Sequence, residues 1–314
     1  MSSGDAGVAV AISTRNRADA LGRCLDSLWS GERRPDQIVI VDQSDDEATA
    51  LLVRQRQGAG MPILYAPQRP AGLGASQNLA FAMAHHEIVA VIDDDCVADT
   101  RWLALIASGL AERADLDGIT GRVLPLPAEG DRTMPVSSRT SEVRREFAVT
   151  ALPWDVGSGN NFALRRSAFL RIDGCDERLG PGSPMQGGVD MDLFYRLIRA
   201  GSRILYDPAV VVYHERATRA QHRARRPMYG RGMGAAIAFW HRGGDRSAAS
   251  VLVAWGRLRG HQMRQAAARR DWGSVRDEIT MLASTVRGLV QGWRLAGTSG
   301  AERAAAVTAP PERE

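Results

Sequence analysis

The chain has 314 residues, 44% of them hydrophobic and 24% charged, so it can bury a substantial core, and neither a wholly disordered chain nor a disulfide-stapled miniature fits. All 40 of its Lys+Arg residues are arginine, which excludes chemistry needing an amine at a fixed place: a Schiff-base lysine, a Walker lysine or a protein-kinase lysine. The net charge of +4 conceals an asymmetry: residues 1–215 hold 22 Arg against 29 Asp+Glu, residues 216–270 hold 13 Arg against Asp245 alone, and residues 271–314 hold 5 Arg against 6 acids. A basic segment of that kind seeks polyanions.

Cys24, Cys96 and Cys175 are an odd number without a CxxC spacing, which indicates neither a disulfide framework nor a zinc knuckle and suits a reducing interior. Met1-Ser-Ser-Gly-Asp has no basic, apolar leader, and no window is apolar for the ~18 residues that span a bilayer. The expectation is a cytoplasmic protein.

In chain order, Val8–Ile12, Ile38–Val41, Ile63–Tyr65 and Ile88–Ile92 are short runs rich in Val and Ile, the pattern of strands buried on both faces. Leu21, Leu25 and Leu28 recur at helical spacing between the first two, and Leu73–Ala84 reads as a second helix. A β-α-β-α order predicts an α/β fold with a mostly parallel central sheet flanked by helices, whose ligands sit beyond the carboxyl ends of the strands.

Those ends are polar. The first strand empties into Ser13-Thr14-Arg15-Asn16-Arg17, the second into Asp42-Gln43-Ser44-Asp45-Asp46 and the fourth into Asp93-Asp94-Asp95. Each alone would serve as a helix cap; together, at matched positions, they predict a site. Adjacent carboxylates repel, so three kept together call for a cation, and a hard divalent ion held through one or two carboxylates leaves positions for phosphate oxygens. A dinucleotide fold is not indicated, because Gly72-Leu73-Gly74 lacks both the third glycine and the preceding strand.

Further on come Gly157-Ser158-Gly159-Asn160-Asn161, then Gly187-Gly188-Val189-Asp190-Met191-Asp192, then Val210-Val211-Val212-Tyr213-His214. Leu193 and Leu197 lie one turn apart, so the glycine pair should precede a helix whose first turn presents Asp190 to a cleft, where the helix dipole favours negative charge; a plain capping role for Asp190 or Asp192 is the alternative. His214 ends an apolar run and can complete a metal shell as a neutral imidazole or serve as an ordinary core histidine.

The set STRNRADALGRCLDSL, IVIVDQSDD, GLGASQNLAFAMA, EIVAVIDDDC, GSGNNFALRR, GGVDMDLFYRLIRAG and VVVYHE, in order over about residues 8–215, resembles the family 2 glycosyltransferases of the GT-A type fold. The resemblance implies a catalytic region over 1–215, with nucleotide binding in about 1–96 and acceptor binding in about 97–215, moving a sugar from a nucleoside-diphosphate sugar to an acceptor hydroxyl with inversion. It assigns Thr14, Arg15, Asn16, Arg17, Asp42, Asn78, Asp93 and Asp94 to the nucleotide sugar, Asp93, Asp95 and His214 to Mn2+ or Mg2+, and Asp190 to general-base catalysis. Asn160, Asn161, Trp154 and Asp192 fall to the acceptor, which is a glycan, a lipid-linked sugar or a small molecule. Two positions depart from the family pattern: Val189 stands where a glutamate precedes the aspartate, and Ser76-Gln77-Asn78 stands where relatives carry Ala-Arg-Asn, so a cationic contact to the diphosphate falls to Arg15, Arg17 or Arg69.

Residues 124–156, with their prolines and weak periodicity, read as a loop over the cleft. Over residues 216–300, Met228–His241, Ser250–Arg259 and Glu278–Trp293 predict three amphipathic or apolar helices. These either lie on an anionic membrane surface, giving a protein peripheral at the inner face, or pack on the catalytic region or in a homodimer. Nucleic acid is disfavoured, because the aromatics do not interleave with the arginines. Residues 301–314 are expected to be a disordered tail. The rival to an enzyme is a non-catalytic nucleotide-binding relative, or a membrane- or partner-binding module.

Overall fold

Val and Ile runs without interruption form the inner strands because both faces of such strands meet other layers. The computed structural model describes residues 7–127, 133–134 and 138–296; the tail over 301–314 lies outside them. The elements run β1 (Val8–Thr14), α1 (Ala18–Trp29), β2 (Gln37–Asp42), α2 (Ala48–Gly58), β3 (Ile63–Pro67), α3 (Leu73–Met83), β4 (Ile88–Ile92), β5 (Cys96–Ala98), α4 (Trp102–Glu112), β6 (Gly118–Pro125), β7 (Thr133–Met134), β8 (Arg145–Phe147), α5 (Pro153–Val156), β9 (Asn161–Arg165), α6 (Arg166–Arg171), α7 (Val189–Arg199), β10 (Ile204–His214), β11 (Ala217–Thr218), α8 (Arg219–Arg242), α9 (Ala248–Ala268) and α10 (Trp272–Leu295). They fall into two compact units, Met1–Pro184 with Val189–His222, and Met185–Gly188 with Arg223–Glu314.

In the first unit, the strands of the main sheet run β3-β2-β1-β4-β9-β6-β10-β5, with β8 on β10. The half expected to hold the nucleotide, β3-β2-β1-β4, is wholly parallel. Beyond it the sheet is mixed: β9 is antiparallel to both β4 and β6, and β5 and β8 are antiparallel to β10. Every residue of β2 and β4 is buried, and α1 turns Leu21, Cys24, Leu25 and Leu28 inward onto the same core as Ile12, Ile40, Trp102 and Val212.

The segment expected as a loop over 124–156 carries more structure than its composition suggested. Arg139 bridges to Val123, β8 pairs with β10, and α5 is a short helix; residues 128–132 and 135–137 lie outside the described ones. The Arg139 guanidinium lies 4.6 Å from the Tyr206 ring centre and donates to the Trp154 carbonyl at 3.0 Å, so long-range partners, not local periodicity, order this stretch.

In the second unit α8 and α10 touch backbone to backbone. A Cβ on Gly230 would meet the Met281 carbonyl at 2.3 Å, one on Gly234 the Thr285 carbonyl at 2.1 Å, and one on Gly288 the Arg231 carbonyl at 2.1 Å. Trp255 of α9 donates from its indole to Thr285 at 3.1 Å. Among the described residues no helix is long and apolar enough to cross a membrane.

Candidate active site

Parallel pairing sets Thr14 opposite Asp42, so the segments that follow β1 and β2 emerge side by side. They are tied together: Asn16, at φ 57°, accepts from the Asp45 amide at 2.9 Å and donates to its carboxylate at 3.0 Å, and Arg15 pairs with Asp45 at 3.2 Å. A left-handed backbone at a non-glycine suits Asn. Asp42 is buried and accepts from the Tyr65 hydroxyl at 2.6 Å and the Ser44 amide at 2.8 Å, which fixes its plane.

The turn between β4 and β5 carries the three aspartates. Asp94 is buried and accepts from the Thr14 hydroxyl at 2.8 Å, while the Arg17 guanidinium bonds Asp94 at 3.2 Å and Asp95 at 2.7 Å. Burial pushes the Asp94 carboxyl up to about 6 even though Arg17 and Thr14 pull the other way. Asp93 is also raised, by burial first and then by the charges of Asp95 and Asp94, and the charge of Asp190 adds to the shift.

His214 reaches this turn because β5 and β10 pair with His214 opposite Cys96. Its Nδ1 lies 2.5 Å from the Glu215 carbonyl oxygen, which can only accept, so Nδ1 carries the hydrogen. Nε2 faces Asp95 Oδ1 at 3.4 Å, a buried oxygen with no hydrogen-bond partner among the described residues. With a neutral ring the two atoms could hold a cation between them, the bond at Nδ1 orienting the imidazole; with a protonated ring they form an ion pair. The donor atoms of Asp95, Cys96 and His214 lie within 4.8 Å of one another; Asp93, expected as a ligand, is outside that group. Burial and the neighbouring aspartates hold the Cys96 thiol well above its usual range, so the imidazole and carboxylate are the donors that suit a hard ion.

Asp190 sits in the first turn of α7 and accepts from the Met191 amide at 3.0 Å. Burial pushes its carboxyl above the usual range against the opposing pull of the Met191 and Gly159 amides. Gly159 lies close to it: a Cβ there would stand 3.0 Å from the Asp190 Cβ, tighter than most such contacts. The next residue, Asn160, is 3% exposed, and among the described residues neither Nδ2 nor Oδ1 of its amide has a hydrogen-bond partner. A buried amide without a partner is uncommon and calls for a reason. Val189 is buried, and a Cβ added to Gly180, which has φ 94°, would stand 3.0 Å from the Val189 Cγ1.

Several residues assigned to ligands from the sequence have structural partners. Asn78 donates to the Cys175 carbonyl at 3.0 Å and to Glu177 at 2.9 Å and accepts from the Cys175 amide at 2.7 Å, so it braces the 175–177 segment. Asn161, fully buried, accepts from the Trp102 indole at 2.8 Å and donates to the carbonyls of Arg122 and Val210 at 2.7 and 3.1 Å, where β10 shifts register. Asp192 is 1% exposed and paired with Arg196 at 2.6 Å. Trp154 is half-buried on α5. Sequence reading missed Gln43, which donates to Ser76, Gln68 and the Gly72 carbonyl at 2.6, 2.7 and 3.1 Å and accepts from the Ala71 and Gly72 amides, holding the entry to α3. Its only signal was its place directly after Asp42 in the polar cluster that follows β2.

A sheet parallel on its nucleotide side and mixed on the other, with an acidic turn at the crossover and a histidine returning on β10, is the GT-A type of glycosyltransferase fold. The sequence profile of glycosyl transferase family 2 matches residues 9–172, and the chain belongs to that family. It is 28% identical over 268 residues to the pre-mycofactocin glycosyltransferase of Mycobacterium tuberculosis, covering 79% of this chain and 52% of that protein. It is also 29% identical over 206 residues to the galactofuranosyltransferase GlfT1 of the same organism, covering 60% of this chain and 64% of that one. The chain thus spans about half the length of the first relative and just under two thirds of the second. Among solved structures, the mannosyltransferase PcManGT from Pyrobaculum calidifontis, in complex with GDP-Man and Mn2+, superposes with a TM-score of 0.59 at 16% identity over 90% of this chain and 87% of that one. Residues 1–349 of TarS from S. aureus in complex with UDP give 0.55 at 14% identity over 95% and 92%.

Proposed function

We propose that this chain transfers a glycosyl group from a nucleoside-diphosphate sugar to an acceptor hydroxyl with inversion, using the region 1–215. The observation that carries the reading is the approach of His214 Nε2 to Asp95 Oδ1 at 3.4 Å, at the acidic turn of Asp93, Asp94 and Asp95. Asp95 and His214 would hold Mn2+ or Mg2+, which when bound supplies a Lewis acid for the charge that develops on the leaving diphosphate. Asp42 would accept from a base imide N–H, with Tyr65 and Ser44 fixing the carboxylate in place. Thr14, Arg15, Asn16 and Arg17 stand on the same sheet edge to border the diphosphate, and Arg17 lends it a cation in place of the missing family arginine.

On the opposite side of the reacting carbon, Asp190 would take the proton of the incoming hydroxyl as the new glycosidic bond forms, while Asn160 hydrogen-bonds that acceptor. A raised carboxyl is the stronger base for this task, and a positioned base contributes typically ~10²–10⁴ in rate. Support comes from the family assignment and from PcManGT, whose solved complex contains GDP-Man and Mn2+. The test is release of nucleoside diphosphate from a panel of UDP-, dTDP- and GDP-sugars with and without Mn2+. The reading expects metal-dependent release from at least one donor; no release from any donor across candidate acceptors would assign the fold to a non-catalytic binder.

A further inference from the structure

The face of α10 turned away from α8 is apolar and open. Trp272, Ile279, Val286, Val290 and Trp293 are 67%, 54%, 60%, 48% and 48% exposed. Their spacings of seven, seven, four and three residues bring them onto a single stripe of a 3.6-residue helix, running nearly the whole of its roughly 36 Å. Arg276, Arg287 and Arg294, also exposed, recur along one flank of that stripe. At its end Ile237, Leu252, Leu289, Val290 and Trp293 line an apolar recess of about 440 Å³ whose ionisable residues are His241 and Arg294.

The charge around the stripe is predominantly positive. Residues 223–296 contain 14 Arg and 4 acids. Each acid is already engaged: Glu278 is buried between Arg226 and Arg259, both at 3.2 Å, Asp277 pairs with Arg223 at 3.9 Å, Asp271 caps α10 through the Ser274 amide, and Asp245 accepts from the Ser247 amide. What is left facing outward is cationic. A second copy on this face would bring like charge against like, whereas an anionic bilayer surface matches both the charge and the apolar stripe with its tryptophans.

We infer that α10 is an interfacial helix that seats this protein on an anionic lipid surface, with Trp272, Ile279, Val286, Val290 and Trp293 in the headgroup–acyl boundary, the recess taking an acyl chain, and Arg276, Arg287 and Arg294 meeting lipid phosphates. The inference does not depend on the transferase reading, since vesicle binding needs no sugar transfer.

The test is co-sedimentation of the full chain with vesicles of phosphatidylcholine alone and of phosphatidylcholine with phosphatidylglycerol in equal parts. The expected result is pelleting with the phosphatidylglycerol vesicles, weakened by salt, and little with phosphatidylcholine alone. The triple variant Arg276→Gln/Arg287→Gln/Arg294→Gln should bind on the order of 100-fold more weakly, since each cation near such a surface contributes about fivefold. Val286→Asp, on an exposed position and checked for an unchanged circular dichroism spectrum, should also lose the vesicles, and both variants should keep nucleoside diphosphate release from soluble substrates. A chain that stays in the supernatant with phosphatidylglycerol, or variants that pellet as the parent does, overturns the inference. So does a dimer by analytical ultracentrifugation that Val286→Asp dissociates, because the stripe is then covered by a second copy.

Discussion

His214 Nε2 stands 3.4 Å from Asp95 Oδ1, and the pairing of β10 with β5 puts it there by setting His214 opposite Cys96, the residue after Asp95. Residues about 120 positions apart in sequence are thereby joined through a strand of only three residues. Replacing His214 with Ala removes the imidazole without touching the ladder. The expected outcome is loss of Mn2+-dependent thermal stabilisation by nucleoside diphosphate, with the melting temperature of the free protein within a few degrees of the parent.

Asp190→Asn keeps the size of the side chain and removes the base. Binding of the donor should be unchanged, while transfer falls by ~10²–10⁴; isothermal titration beside a turnover assay separates the two. Equal turnover would place the base elsewhere.

The pH profile follows from the same carboxyl. Burial raises the Asp190 pKa, and only the ionised form accepts a proton, so turnover is lost as pH falls through that raised value. The acid limb of kcat should therefore lie above the ~3.9 of a free aspartate, and Asp190→Asn should abolish the limb along with the rate.

The neighbours Asn160 and Asn161 should part company. Asn161→Ala strips partners from the buried Trp102 indole and from the carbonyls of Arg122 and Val210, at a cost of about 2–4 kcal/mol in denaturant unfolding. Asn160→Ala removes an amide that has no partner among the described residues, so stability should hold or rise while KM for the acceptor increases.

Gly234→Ala tests the contact between α8 and α10. Alanine gains about 1 kcal/mol of helix propensity over glycine, but its Cβ would meet the Thr285 carbonyl at 2.1 Å, and two backbones cannot yield as a side chain would. A net loss of about 1–3 kcal/mol is expected by thermal or chemical unfolding.

The strands of the nucleotide half were legible because buried parallel strands write themselves as runs of Val and Ile, and the acidic turn because adjacent carboxylates carry a cost that calls for a reason. Less visible was what an amide does. Asn78, Asn160 and Asn161 look alike in sequence, yet two are bonded to groups far along the chain and one is left without a partner among the described residues. Asp192 and Asp190 share a helix turn, but two residues is about 200° of helix, so one faces Arg196 in the interior and the other the 158–160 turn. The antiparallel insertion of β9 between β4 and β6 was hidden because its Asn-Phe-Ala-Leu-Arg run carries no alternation that separates it from a parallel strand.

Mn2+ binding followed by electron paramagnetic resonance, with UDP, dTDP or GDP present, addresses the seat between Asp95 and His214 most directly. The account predicts nucleotide-dependent binding of Mn2+ to the parent chain that is lost in both Asp95→Ala and His214→Ala. Parent-like Mn2+ binding in either variant, with its nucleotide dependence intact, would contradict it.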